Sequence, residues 1–256
     1  MIDTTIDGHV HTKLCHHARG EMEEYVLAAI NQGLRKLIFL EHLEVGINYF
    51  ESTWLSEDDF DIYHAEGKRL QEKFQDRIEI GLGIEVGYNP NFLEEIQQRL
   101  ALHVWDSIGI SYHFLETGSG HLNMVSRKQR NIEALDQFGV DEVANRYYKD
   151  LKEAVEILPG QVLCHIDAVL RHHPDFIMTP DHNALINDLL DSVASNNMSL
   201  EVNTSGYRIK DEPYPSLDIL RKAVKKKISL VAGSDAHRPE DVGIHFDRLP
   251  GLIKKL

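Results

Sequence analysis

Cysteine is nearly missing from this chain: Cys15 and Cys164 are the only two in 256 residues. Two thiols so far apart make no disulfide framework, and a reducing compartment suits them. Positive charge is short as well, with 27 Lys and Arg against 41 Asp and Glu, for a formal net charge of −14. A nucleic-acid binder needs basic surface to release counterions, so nucleic acid is not an expected partner. A small phosphorylated substrate stays open, because its pocket need be positive only locally. The one basic run, Lys225-Lys226-Lys227, reads as a helix end, where cations favour the dipole. No run of about 18 apolar residues suggests a membrane span, and no apolar N-terminal stretch resembles a signal peptide. The expected location is cytoplasmic. No Gly-x-Gly-x-x-Gly or P-loop is present, and no low-complexity linker divides the chain, so residues 1–256 read as one domain.

What the chain does contain is strand–helix alternation. Seven runs rich in Ile, Val, Leu or Phe stand at 5–10, 36–40, 78–84, 104–110, 161–164, 199–202 and 228–232. They are nearly continuous rather than alternating, as parallel strands covered by helices are. Helical periodicity fills 21–32, with Gly33 a stop. It returns in 58–74, 91–102, 141–157, 181–196 and 216–226, with Pro180 and Pro215 punctuating the last two starts. Such alternation fits an open doubly wound sheet or a (β/α) barrel. With no phosphate-binding glycine loop after any strand, the barrel is expected, with an odd or distorted strand count.

The ends of the runs carry the chemistry. The first ends in Asp7-Gly8-His9-Val10-His11, and histidines at i and i+2 of an extended segment share a face. The second ends in Glu41-His42, the third in Glu85, and the fourth in Ser111-Tyr112-His113. The fifth runs into Cys164-His165, the sixth into Glu201-Val202-Asn203, and the seventh into Gly233-Ser234-Asp235-Ala236-His237. A barrel builds its site at the C-terminal strand ends. Imidazoles converging there would repel one another when protonated and lose solvation when neutral; metal cations resolve the conflict. A set this rich in nitrogen suits zinc, manganese, iron or cobalt rather than calcium or magnesium. Nine ligands, with one carboxylate bridging, supply about three ions.

In order along the chain, Asp7-x-His9-x-His11, Glu41-His42, Glu85, Ser111-x-His113, His165 and Gly233-Ser234-Asp235-Ala236-His237 resemble the motif series of the PHP (polymerase and histidinol phosphatase) superfamily. Cys15-His16-His17-Ala18, His165-Ile166-Asp167, Glu201-Val202-Asn203-Thr204-Ser205-Gly206 and Tyr214-Pro215-Ser216 are most similar to its stand-alone histidinol-phosphate phosphatases. The resemblance implies a distorted (β/α)7 TIM-like barrel of the α/β class, with the metal site at the C-terminal strand ends. It implies three divalent ions. His9, His11, Glu85 and Asp235 would hold the first, and Glu85 would bridge to a second, also held by His113 and His165. His17, His42 and His237 would hold the third, His17 being chosen over His16 by the family's Cys-x-His-Ala pattern. The implied activity is metal-dependent hydrolysis of a phosphate monoester, L-histidinol phosphate, to L-histidinol and phosphate in histidine biosynthesis. A hydroxide bridging the first two ions would be the nucleophile. Nucleotide, oligonucleotide and phosphotyrosine esters are the alternative substrates, and a non-catalytic PHP binding module is a third reading, disfavoured because all nine ligand positions are filled.

Three divalent ions with two carboxylates and a hydroxide carry a charge of about +3, suited to a phosphate dianion. Arg171 and Arg208, each a few residues past a strand end, are expected to clamp the phosphoryl oxygens, with Ser205 adding a hydroxyl and His42 facing the same group. Glu85, Asp235 and His237 are the expected catalytic residues, Asp235 or a metal-bound water protonating the leaving alkoxide. Asp7 is expected to orient a histidine, and Glu116, Asp211 or Glu212 to meet the substrate amine. Cys164 should face away from His165. The segment around Gly118-Ser119-Gly120 is expected to be a mobile lid whose His121 could touch substrate. His64, His103, His172, His173, His182 and His245 read as surface residues. No membrane partner is expected, and the chain should be a monomer or a small homo-oligomer.

Overall fold

The computed structural model describes residues 2–174 and 176–256. Its strands are β1 (Ile6–Val10), β2 (Lys36–Glu44), β3 (Glu79–Gly87), β4 (Ile108–Ser111), β5 (Phe114–Thr117), β6 (Gly120–Asn123), β7 (Val162–Leu163), β8 (Ser199–Asn203) and β9 (Leu230–Gly233). Seven of them form one parallel sheet in the order β1-β2-β3-β4-β7-β8-β9, while β5 and β6 pair as a separate antiparallel hairpin. Past β9 the chain returns to β1: Asp235 N–H donates to the His9 carbonyl at 2.9 Å and His11 N–H to the Ala236 carbonyl at 2.9 Å. These bonds nearly close the sheet into a (β/α)7 barrel, the architecture that the family resemblance implied and with which the seven apolar runs agree.

The helices are α1 (Met22–Asn31), α2 (Glu57–Phe74), α3 (Leu93–Leu100), α4 (Gln129–Phe138), α5 (Val140–Ile157), α6 (Pro180–Ser195), α7 (Leu217–Lys225) and α8 (Leu249–Ile253). Leu37, Phe39, Ile84, Val86, Ile110, Leu163, Leu200 and Val202 bury their side chains in the sheet, each stabilising the fold by about 1.5–3 kcal/mol. None of the helices among the described residues is long and apolar enough to cross a membrane.

Several boundaries differ from expectation for a common reason. β2 and β3 run in unbroken register from Lys36↔Glu79 to Glu44↔Gly87, well past the apolar runs. Glu41, His42, Glu44 and Glu85 are polar yet buried, so hydropathy stops short of the true strand ends. The fourth run began too early: Val104 is 95% exposed and lies ahead of β4. The segment expected to be a lid is built as the β5–β6 hairpin and α4. The hairpin is tied to the loop after β2, where His121 N–H donates to the Asn48 carbonyl at 2.9 Å and Asn48 N–H donates to His121 Nδ1 at 3.0 Å. His182 is not a surface residue. Thr179 caps α6 by accepting from His182 N–H at 3.2 Å and donating its own N–H to His182 Nδ1 at 3.2 Å, and the ring is buried. The His173 side chain is also buried, and His64 is half-buried, stacked on His103 at a ring separation of 4.0 Å.

Candidate metal centre

β1 and the residue after it deliver His9 and His11 to one point, with their Nε2 atoms 2.9 Å apart. Two nitrogens bound to one zinc at about 2.0–2.1 Å in a tetrahedron stand about 3.3 Å apart, so the separation suits a shared ion. Glu85, at the C-terminal half of β3, lies between two groups of rings. Its Oε2 is 2.9 Å from His42 Nδ1, 3.4 Å from His9 Nε2 and 3.6 Å from His11 Nε2. Its Oε1 is 2.8 Å from His165 Nε2 and 3.4 Å from His113 Nε2. One carboxylate thus faces two imidazole sets with separate oxygens. Asp235 Oδ1 completes the first set, 3.4 Å from His11 Nε2 and 3.9 Å from His9 Nε2.

A third group forms at the rim. Ligand atoms of His11, His42 and His237 lie within 4.8 Å of one another, and so do those of Cys15, His17 and His237. The His17 ring is 4.5 Å from that of His237 and 5.3 Å from that of His42. His16 adopts a left-handed conformation at φ 64° and turns to Asp59, 3.3 Å from its Nε2. The neighbouring histidines therefore diverge, and it is His17 that joins the cluster.

The tautomers are set from outside. His9 Nδ1–H donates to Glu201 Oε1 at 2.7 Å, and His113 Nδ1–H to Glu44 Oε1 at 2.7 Å. His237 Nδ1–H donates to the Asp235 carbonyl at 3.0 Å, and His17 Nδ1–H to the Cys15 carbonyl at 2.9 Å. Each bond leaves Nε2 as the lone-pair donor, the form a metal takes. Both outer carboxylates sit over strand glycines. A Cβ on Gly87 would fall 2.0 Å from Glu44 Oε2, and one on Gly233 would fall 2.2 Å from Glu201 Oε1. Sequence reasoning passed over these two glutamates as ligand partners. Glu44 was legible, since it lies two residues beyond His42 on the same face of β2.

The protein alone leaves this cluster unbalanced. His237 Nε2, His11 Nδ1, His165 Nδ1 and Glu85 Oε2 are buried without a hydrogen-bond partner. Burial, reinforced by neighbouring His11, holds the His42 and His237 rings well below the usual imidazole range. Burial opposes charge on Glu85, yet the imidazoles of His113, His9 and His42 hold its carboxyl well below the usual range. For Asp235, too, burial is outweighed, by the hydrogen bond to His11 and by His9 and His237. Against burial, Glu201 and Glu85 raise His9 well above the usual imidazole range, Asp235 and Glu41 raise His11, and Glu85 with Glu44 raises His113 to about 10, so protons on these rings carry the positive charge that the carboxylates call for. Imidazoles crowded around ionised carboxylates, with buried atoms unpaired, are a donor set that fits divalent transition metals, whose charge would replace those protons. An ionised Asp235 is a ligand and a proton acceptor, which does not suit the role of acid for the leaving alkoxide.

Other expectations fare differently. Asp7 is buried but holds backbone rather than an imidazole: it accepts from Ser234 N–H at 2.9 Å and Gly243 N–H at 2.8 Å, anchoring the turn that carries Asp235 and His237. Cys164 does not face away from the site. Its Sγ lies within 4.8 Å of ligand atoms of His9 and Glu85; β7 ends at Leu163 and His165 holds a positive φ of 20°, so strand alternation does not extend to this pair. Arg171 lines the cavity over the cluster with His17, His42, His113, His165 and Asp235. Arg208 does not; it pairs with Asp241. Ser205 Oγ–H donates to Asn203 Oδ1 at 2.6 Å, and His121 is occupied by Asn48. Glu116 accepts from Asn91, Asp211 pairs with Arg248 at 2.6 Å, and Glu212 accepts from Leu217 N–H at 3.2 Å; none of the three lines the cavity.

Fold and site together define a metal-binding (β/α)7 barrel with its donors at the C-terminal mouth. The chain belongs to the PHP domain family, which it matches over residues 7–205. A Deinococcus radiodurans protein named "Probable histidinol-phosphatase" is 31% identical over 245 residues, covering 94% of this chain and 89% of the relative. The histidinol-phosphatase of Bacillus subtilis is 29% identical over 259 residues, covering 94% and 96%. Among solved structures, the histidinol phosphate phosphatase of Lactococcus lactis, complexed with zinc, L-histidinol and phosphate, superposes with a TM-score of 0.77 at 22% identity, covering 98% of this chain and 92% of that one.

Proposed function

We propose that this protein is a metal-dependent phosphomonoesterase that hydrolyses L-histidinol phosphate to L-histidinol and phosphate. The observation that carries the reading is Glu85, whose two oxygens face separate imidazole groups in a cavity that Arg171 also lines. The names of the Deinococcus and Bacillus relatives support the substrate. Three ions are the proposed complement: one on His9, His11, Glu85 and Asp235, one on Glu85, His113 and His165, and one on His17, His42 and His237. Zinc is the ion bound in the Lactococcus structure. Such ions supply a nucleophilic hydroxide near neutral pH and neutralise charge on phosphoryl oxygens.

The chain's own residues have the remaining work. Glu201 and Glu44 keep His9 and His113 in the tautomer that presents Nε2. Arg171 reaches into the same cavity with a fixed positive charge and an unpartnered Nε, suited to a phosphoryl oxygen. Arg208 would join it on leaving Asp241, with Ser205 beside it. Steady-state kinetics on metal-analysed protein test the substrate, comparing L-histidinol phosphate, a nucleoside monophosphate and phosphotyrosine. The expected kcat/KM favours histidinol phosphate by at least about a hundredfold. Equal values would refute the substrate and leave the phosphatase chemistry standing.

A further inference from the structure

Behind the strands that carry His42 and Glu85 lies a cavity of about 190 Å³, separate from the one over the metal donors. β2 and β3 pair His42 with Glu85. Their chain neighbours Leu43 and Ile84 turn to the opposite face of the sheet, where they form the cavity floor. α2 supplies Phe60 and Asp61, and the segment after α3 supplies Leu102, His103 and Trp105. The Trp105 indole N–H is already donated to the Leu100 carbonyl at 3.0 Å, so what this residue offers the cavity is its ring. His103 stacks on His64 at a ring separation of 4.0 Å.

Size and lining point to a ligand of one ring. A cavity of about 150 Å³ lined by Leu, Ile and Phe is enough to hold benzene, whereas sites for larger ligands span roughly 300–1,000 Å³. Aromatic walls also attract cations through the ring quadrupole, Trp most strongly. The charges at the opening have the same preference. Arg99 is engaged, 2.9 Å from Glu95 Oε1 and 3.4 Å from Glu57 Oε1. Asp61 is exposed and makes no ion pair or hydrogen bond among the described residues. The uncommitted charge at the cavity is thus a carboxylate that solvent and ligand can both reach.

We propose that this cavity binds a single-ring aromatic cation, with its ring against Phe60 and Trp105 and its ammonium at Asp61, and that the metal centre senses the occupant. The route is short. A packed interior transmits strain, and Leu43 and Ile84 are adjacent in the chain to His42 and Glu85. α2 is tied to the same strands, since Tyr63 O–H donates to the Gly83 carbonyl at 2.9 Å. Binding stands apart from the phosphatase reading; the coupling rests on the metal ligands proposed above.

The test uses the intact zinc-loaded protein and benzylamine, with benzyl alcohol as its uncharged counterpart. Trp54 and Trp105 are the only tryptophans, so Trp54→Phe makes Trp105 emission a local reporter. Benzylamine is expected to change that emission saturably, with a Kd of roughly millimolar or below. Benzyl alcohol is expected to bind about threefold more weakly, and Asp61→Asn to remove the difference. No saturable change, or equal binding of the two compounds with Asp61 in place, overturns the ligand assignment. Chelating the zinc is expected to shift the benzylamine Kd at least about fivefold; an unchanged Kd overturns the coupling. Should Trp54→Phe fail to fold, the unaltered chain is titrated beside Trp105→Phe, and a signal that survives in Trp105→Phe refutes the site. Protein that takes up no zinc would refute the metal reading and the coupling with it, while the benzylamine titration still decides the cavity.

Discussion

Glu201→Gln puts the outer frame of the metal centre to a quantitative test. Glu201 is buried in β8, and each of its oxygens accepts a bond the site needs: Oε1 from His9 Nδ1–H at 2.7 Å and Oε2 from the His165 backbone N–H at 2.9 Å. Asn203 Nδ2 adds a longer bond to Oε2 at 3.3 Å. Glutamine has the same shape but one acceptor. Whichever way the amide turns, its NH2 meets an N–H, so one bond is lost and two donors are forced together. Losing a bond to a charged, buried acceptor costs about 1.5–3 kcal/mol. A group that orients a ligand is worth roughly 10–100-fold in metal affinity, or about 1.4–2.7 kcal/mol, so the two routes agree. Elemental analysis after equilibration against buffered free zinc should therefore show one ion lost at about 10–100-fold higher free metal than in wild type. Gly233→Ala offers an independent approach, since its Cβ would fall 2.2 Å from Glu201 Oε1 and push the carboxylate off His9. If Glu201→Gln holds its full metal complement at wild-type free zinc, the tautomer of His9 is not set by Glu201 and the reasoning fails.

Three further outcomes are expected. Arg171→Ala should lower kcat/KM for a phosphate monoester at least about tenfold at unchanged metal content; an unchanged kcat/KM would remove Arg171 from the phosphate site. Stripping the ions with a chelator should lower Tm: free zinc at a thousandfold excess over Kd contributes about 4 kcal/mol, or about 8–16 °C for a chain of this size, and a calorimetric scan that shows no shift would contradict the donor assignment. Away from the site, burial with His103 and Lys68 nearby pulls the His64 ring down to about 4. The unfolded ring takes its proton near pH 6.5, so this contribution is present above pH 6.5 and lost as pH falls toward 4. Thermal melts across that window should be flatter for His64→Gln than for wild type, and parallel curves would count against the assignment.

The barrel was legible because its strands are buried on both sides and therefore apolar along most of their length. What hydropathy lost was the C-terminal ends, where β2 and β3 continue through Glu41, His42, Glu44 and Glu85. Those are the residues that build the site, so boundary errors and function share a cause. The β5–β6 hairpin was missed for another reason. Its strands have four residues each, with all of β6 and half of β5 only partly buried, and so show neither an apolar run nor clean alternation.

Within the site, period-two reasoning works only where the chain is truly extended. It placed His9 and His11 together, and applied to β2 it would have found Glu44 behind His42. It failed at Cys164 and His165, and it left His16 and His17 undecided. His165, Asp235 and His16 are non-glycine residues at positive φ, of 20°, 52° and 64°. Backbone held in such regions costs about 1–3 kcal/mol per residue. Two of the three stand at proposed ligands and the third immediately before one. Strain placed this way, at the turns that aim His17, His165 and Asp235, is tolerable where ion binding returns more than it costs, and a tightly held zinc returns about 10 kcal/mol or more. Leu170, Asn197, Lys227 and His245 also hold positive φ away from the donors, so the left-handed turns at the mouth are compatible with a metal-built site and do not by themselves argue for one.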